Sequence, residues 1–148
     1  MSDSKDSIES RIDEIAAFRR ESEYDLRDVS PVYASQMEST TSVFGEQGRK
    51  GGLAQVHRIL IALGTAVQAG SESTIDWTIT RALNHGANEA MILDAIDVAL
   101  LNGGNFTVAN ARFAYRALKY RLSTRPAGSE EEFPVISTPG HLRAASGA

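Results

Sequence analysis

Residues 53–70, LAQVHRILIALGTAVQAG, are apolar nearly all the way round a helix. A helix of that kind cannot sit on a surface, because no face of it is suited to water. It must be the buried central helix, and the rest of the chain must cover it. Most of the other segments carry the pattern that covering helices need, and none alternates convincingly as a strand would. The chain therefore reads as all-α, with four or five helices.

SIESRIDEIAAFRRES forms an amphipathic helix whose Ile8, Ile12, Ile15 and Phe18 recur at spacings of three and four. Asp25–Ser30 reads as a connector. Pro31 suits the first turn of a helix that Ser30 caps and that runs to about Phe44. Tyr33, Met37, Thr41 and Phe44 lie along one stripe of it. GEQGRKGG, at 45–52, is a glycine-punctuated loop exposing the basic pair Arg49-Lys50. Gly64, inside the central helix, suggests close helix packing, and Gly70 ends that helix. Ser71 or Ser73 then caps a helix that stops at Gly86. Asn88 caps EAMILDAIDVALLNGG, and FTVANARFAYRALKYRLST is the last long helix. Residues 1–125 form a single helical domain. Residues 126–148, rich in Gly, Pro, Ser and Glu, read as a tail, with Phe133, Val135 and Ile136 available to a neighbouring subunit.

Composition removes several classes of function. The chain has no cysteine, which excludes disulfides, thiolate metal sites and thiol nucleophiles together. His57, His85 and His141 have no spacing that reads as a metal site, so neither a metal nor another cofactor is expected. NGGN at 102–105 matches no phosphate-binding fingerprint. A net charge of −4 gives no sign of nucleic-acid binding. No continuous apolar run suggests a membrane span, and the amino terminus has no apolar leader, so a cytoplasmic protein is expected.

The order LIxLxxAVxxG, polar cap, helix, ALNHGAN and ILDAIDVALLNGGN, followed by an alanine-rich helix with Tyr115, resembles one family. It is similar to the carboxymuconolactone decarboxylase and alkylhydroperoxidase D-like superfamily over about Pro31–Arg121. Leu60 to Leu63, Ala82-Leu83, Gly86-Ala87, Ile92, Ala95, Val98-Ala99 and Gly103-Gly104 carry the likeness. All are packing or turn positions, so they speak to a fold before a reaction. The resemblance implies an alkylhydroperoxidase D-like helical bundle assembled as a homo-trimer or homo-hexamer.

It also implies where reactive groups would stand. In the peroxidase-like branch two cysteines fall on Ser71 and Thr74, a histidine on Thr78 and an assisting glutamate near Ile59. A hydroxyl cannot replace sulfur in disulfide exchange, so thiol peroxidase activity is not expected. The decarboxylase branch needs no cysteine. It resembles this chain at Asp76-Trp77-Thr78-Ile79 and at GGNFTVAN, ending on Asn110, although Thr78 stands where it usually has a histidine.

Candidate site residues follow from position and chemistry. Ser71, Thr74 and Thr78 share a helix face and could hydrogen-bond a carbonyl or carboxylate; equally, they could cap or back-bond their own helix. Glu72 and Asp76, four apart, could do acid/base work or form a solvated face near a helix start. His57 could be a general base or a packed or interface histidine. Asn102 and Asn105 could line a pocket mouth or end a helix, and Tyr33 could reach a pocket as an acid. Asp97 interrupts an apolar helix and, if buried, would need Arg58, Arg112 or Arg116. Trp77, Phe106, Phe113 and Tyr115, at helical spacings, suit a core or an interface more than stacking on a substrate.

Two readings remain open. One is a cofactor-independent, decarboxylase-like acid/base enzyme. It would decarboxylate or rearrange a small keto acid or lactone, with His57, Glu72 and Asp76 catalytic and Ser71, Thr74, Thr78, Asn102, Asn105 and Tyr33 binding. The other is a non-catalytic oligomeric ligand-binding or scaffold protein on the same fold.

Overall fold

The computed structural model describes residues 3–124, with side chains from residue 8 onward. Among these residues there are six α-helices and no strand. They are α1 (Asp3–Val29), α2 (Pro31–Phe44), α3 (Gln55–Ala69), α4 (Glu72–Asn84), α5 (Glu89–Gly103) and α6 (Val108–Thr124). A short 3₁₀ turn, Gly104–Thr107, joins the last two.

The apolar helix α3 is central and packs against both α4 and α5. α6 closes the other side of α4 and α5, and α1 lies across α4. Ile12, Leu63, Ile75, Ile79, Ile92 and Leu118, one or two from each of five helices, are fully buried together. α3 is less enclosed than its composition suggests. Its Ile61 is 55% exposed and His57 also faces out.

Local chemistry explains the element ends. Ser30 takes an extended conformation, as a residue before proline must, and its Oγ accepts the Tyr33 N–H at 3.1 Å. Ser71, rather than Ser73, caps α4, and Asn88 caps α5. Gly70 adopts φ +75° and ends α3 in the left-handed conformation that glycine tolerates best. Beside it, Asn110 Nδ2 donates to the Val67 carbonyl at 2.9 Å and so ties α6 to the last turn of α3. At Gly103 a Cβ would stand 2.2 Å from Thr107 Cγ2, so only glycine lets the 3₁₀ turn fold back.

Three expectations change. The supposed connector at 25–30 is helical through Val29, and Ser30 alone turns the chain. The buried row of α1 is also rotated: Phe18 is 71% exposed, while Ile12 and Ala16 are buried. Gly64 is not forced by crowding, since a Cβ there would meet Ala95 O at 3.9 Å and Ala99 Cβ at 4.0 Å. The stretch Glu89–Thr124 has the length and hydropathy of a membrane span taken as one helix. It is divided at Gly103-Gly104 into helices of 15 and 17 residues, and a span needs about 20. Residues 126–148 lie outside the described residues, and with them the expected tail.

Candidate functional site

The stripe of α2 anticipated from spacing faces α3 and α4. Tyr33, Met37 and Phe44 line one wall of a cleft of about 480 Å³, with Thr40 taking the place expected of Thr41. Ala62, Ala66 and Ala69 of α3 form its floor. Ser71, Thr74 and Trp77 of α4 form the opposite wall, and Arg19 of α1 closes one end. The small alanines leave the space, and the aromatic pair Phe44–Trp77, edge to face at 5.7 Å, gives it an apolar side. Arg81 supports that pair from behind: its guanidinium lies 5.6 Å from the Trp77 ring and donates to the Phe44 carbonyl at 3.2 Å. Gln55 Nε2 donates to the same carbonyl at 2.8 Å.

The hydroxyls of α4 divide into two kinds. Ser71 Oγ lies 2.9 Å from Thr74 Oγ1 while capping the helix, and both residues line the cleft. Thr78 is fully buried, and its Oγ1 donates to the carbonyls of Thr74 and Ile75 at 2.8 and 3.0 Å. Its back-bonding reading is therefore what the structure displays. Ile59, near the position of the peroxidase-branch glutamate, is likewise wholly inside the core.

Glu72 and Asp76 share a helix face but not an environment. Glu72 Oε2 pairs with Arg11 at 2.5 Å near the surface. Asp76 has no exposed surface; Arg121 grips it with Nε–Oδ1 at 2.8 Å and Nη2–Oδ2 at 3.0 Å. Arg19 Nη2 stands 3.4 Å from the same Oδ2. Asp76 thus clamps α6 and α1 onto α4 behind the cleft rather than in it. A buried carboxylate so engaged is a packing element, because losing its partners would strand a charge.

The structure does not bring the other sequence candidates to this cleft. His57 and Asn102 line a second, more apolar groove of about 540 Å³ between α3 and α5, beside Met91 and Val98. Asn105 is exposed in the 3₁₀ turn. Asp94 and Asp97 both face solvent, so Asp97 needs no buried arginine. Of the aromatic candidates, Trp77 is buried in the cleft wall, Phe113 packs on the core, and Phe106 is 97% exposed. Among the described residues no cluster of histidine and acidic side chains could hold a metal.

Two residues of α1 escape the reading of α1 as a plain amphipathic helix. Ile12, Ala16, Arg19 and Glu23, spaced four, three and four, form its inward row, which turns from apolar to charged beside the cleft. Glu23 is buried, and its Oε1 accepts from Arg27 Nη2. Burial pushes the Glu23 carboxyl above its ordinary range, partly offset by Arg27. Burial also raises the Tyr33 phenol, with the nearby Glu23 charge adding to it, so Tyr33 stays protonated and able to donate.

The fold is that of a carboxymuconolactone decarboxylase family protein. A crystal structure of such a protein from Thermotoga maritima, suggested to take part in an antioxidative response, matches with a TM-score of 0.67. The match covers 84% of this chain and 99% of that one, at 20% sequence identity. No family model and no curated protein matches the sequence.

Proposed function

We propose that this chain is a small-molecule-binding protein on a carboxymuconolactone decarboxylase-like fold. Its ligand is a small oxygenated metabolite, of the size and polarity of a keto acid or lactone, held in the α2–α3–α4 cleft. One observation carries this reading. The cleft joins an apolar aromatic wall to the polar groups of Arg19, Tyr33, Ser71 and Thr74, the mixture that small-molecule sites use for affinity and orientation. Its described lining contains neither a carboxylate nor an imidazole. Binding therefore has more support than turnover by His57, Glu72 and Asp76.

Trp77 is the sole tryptophan of the chain and forms part of the wall, so its emission reports on the cleft. Titration with small keto acids and lactones should give a saturable change in that emission. Thr74→Leu, which puts a larger apolar side chain at the mouth, should weaken it. Emission that never saturates with any of them would refute the reading.

A catalytic reading rests on Tyr33. A phenol kept protonated in the wall could give a proton to a carbonyl oxygen as charge develops there. Tyr33→Phe would then abolish turnover while changing ligand affinity only a few-fold. Release of carbon dioxide from keto acids, followed with and without that substitution, tests it.

A further inference from the structure

We infer that the outer face of α5 and α6 docks on a second copy of this chain, with Asp94 and Asp97 of one copy meeting Arg112 and Arg116 of the other. The inference is independent of the α2–α3–α4 cleft, because no residue of α5 or α6 lines that cleft.

Four charges on this face are uncommitted. Asp94 and Asp97, three apart, are exposed on α5, and Arg112 and Arg116, four apart, are exposed on α6. Each spacing keeps its pair on one side of its helix. None of the four has a hydrogen bond or ion pair with another described residue. The charges around them are engaged or distant. Lys119 Nζ holds Glu89 Oε1 at 2.9 Å across the seam between the two helices. Asp13 of α1 lies on the other flank of α6, bonded by Tyr120 and 3.6 Å from Arg121. Toward α3, the one ionisable group that shares a groove with Asp94 is His57. Large apolar side chains stand beside these charges. Leu101 is 84% exposed and Phe106 97%, and Val98 and Tyr115 are exposed as well. Phe106 is presented by a 3₁₀ turn that Thr107 Oγ1 ties to the Gly104 carbonyl at 2.7 Å.

The helix register makes this face complementary to itself. The Glu89–Lys119 contact and the short turn at Gly104–Thr107 set α5 and α6 as an antiparallel pair. Asp97 then stands almost level with Arg112, Asp94 falls between the levels of Arg112 and Arg116, and Leu101 lies beside the turn that carries Phe106. A two-fold axis along the seam lays α5 of one copy over α6 of the other with every level unchanged. Acid faces base in both halves of that contact, and Leu101 of each copy meets Phe106 of the other. Exposed apolar side chains flanked by charges of both signs suit a protein partner. A nucleic acid or an anionic membrane would call for positive charge alone.

Exchanging the charges tests the pairing. The full chain is sedimented over a range of concentrations as wild type, Asp97→Arg, Arg112→Asp and the two substitutions together. All replace exposed side chains, and circular dichroism checks that each variant folds. The wild type should associate, less tightly as salt is raised. Each single reversal should weaken association by roughly tenfold or more, because the axis repeats every changed contact. The double exchange should return it to within a few-fold of the wild type. If one of these variants does not fold, Asp94→Arg and Arg116→Asp make the same test at the second pair. A wild type that stays monomeric, single reversals without effect, or a double exchange that restores nothing would each overturn the inference. Loss with Arg112→Asp but not with Asp97→Arg would assign the basic stripe to another acidic partner, such as Glu130–Glu132 of the chain itself, and would overturn it too.

Discussion

Asp76 shows how environment decides what a carboxylate does. It has no exposed surface and lies in the grip of Arg121, so removing its charge leaves guanidiniums buried without it. Asp76→Ala is expected to cost about 3–5 kcal/mol of stability, measured by urea unfolding. Thr78 is the opposite case. Its hydroxyl only returns to its own helix, so Thr78→Val should stay within about 1 kcal/mol of the wild type. Glu23 makes a pH-dependent term. Its folded carboxyl binds a proton more readily than the unfolded one, whose ordinary value is 4.5. Its favourable contribution is complete below that value and is lost as pH rises through the raised folded value. Glu23→Gln should therefore help stability more at about pH 7 than at about pH 4, read from urea midpoints at both. Sequence could place Asp76 and Thr78 on one turn of helix. It could not say that one faces two arginines and the other its own backbone, because the partners come from elements 45 to 57 residues away.

At the scale of elements, local signals were dependable where the chemistry is local. Ser30-Pro31, Gly70 and Asn88 all end or begin helices as their side chains or, for glycine, its free backbone require. The Tyr33–Phe44 stripe was visible from spacing and does line the cleft, with Thr40 in the place given to Thr41. α1 misled because the isoleucines of its first half suggest a stripe through Ile15 and Phe18. Burial follows Ala16, Arg19 and Glu23 instead, and polar residues there give no periodic signal until their ion partners are known. Two substitutions test this level. Ser71→Ala should cost about 1 kcal/mol through the lost cap. Gly64→Ala should stabilise by roughly 0.5–1 kcal/mol, since the helix gains alanine and the new Cβ meets only ordinary contacts. Thermal unfolding of both variants checks the signs.

For the whole molecule, the apolar central helix and the missing strands already specified an all-helical bundle, and the structural likeness bears that out. The site was legible in part. Ser71, Thr74 and Tyr33 do meet in one cleft, whereas His57 and Asn102 belong to another groove. A linear pattern says which face of a helix a residue occupies, but not which neighbour covers that face. The outer face also carries Ile61, Val98 and Leu101, each more than half exposed on the single chain. Such surface commonly marks contact between protein molecules, and light scattering is expected to find an oligomer. The most direct measurement of the central claim is a backbone and indole amide NMR spectrum recorded while a small keto acid is added. Shifts should gather at the Trp77 indole and at the amides of Tyr33, Ser71 and Thr74, and saturate together. Shifts confined to the His57–Asn102 groove, or none at all, would show that the hydroxyl-lined cleft is not where this protein binds its ligand.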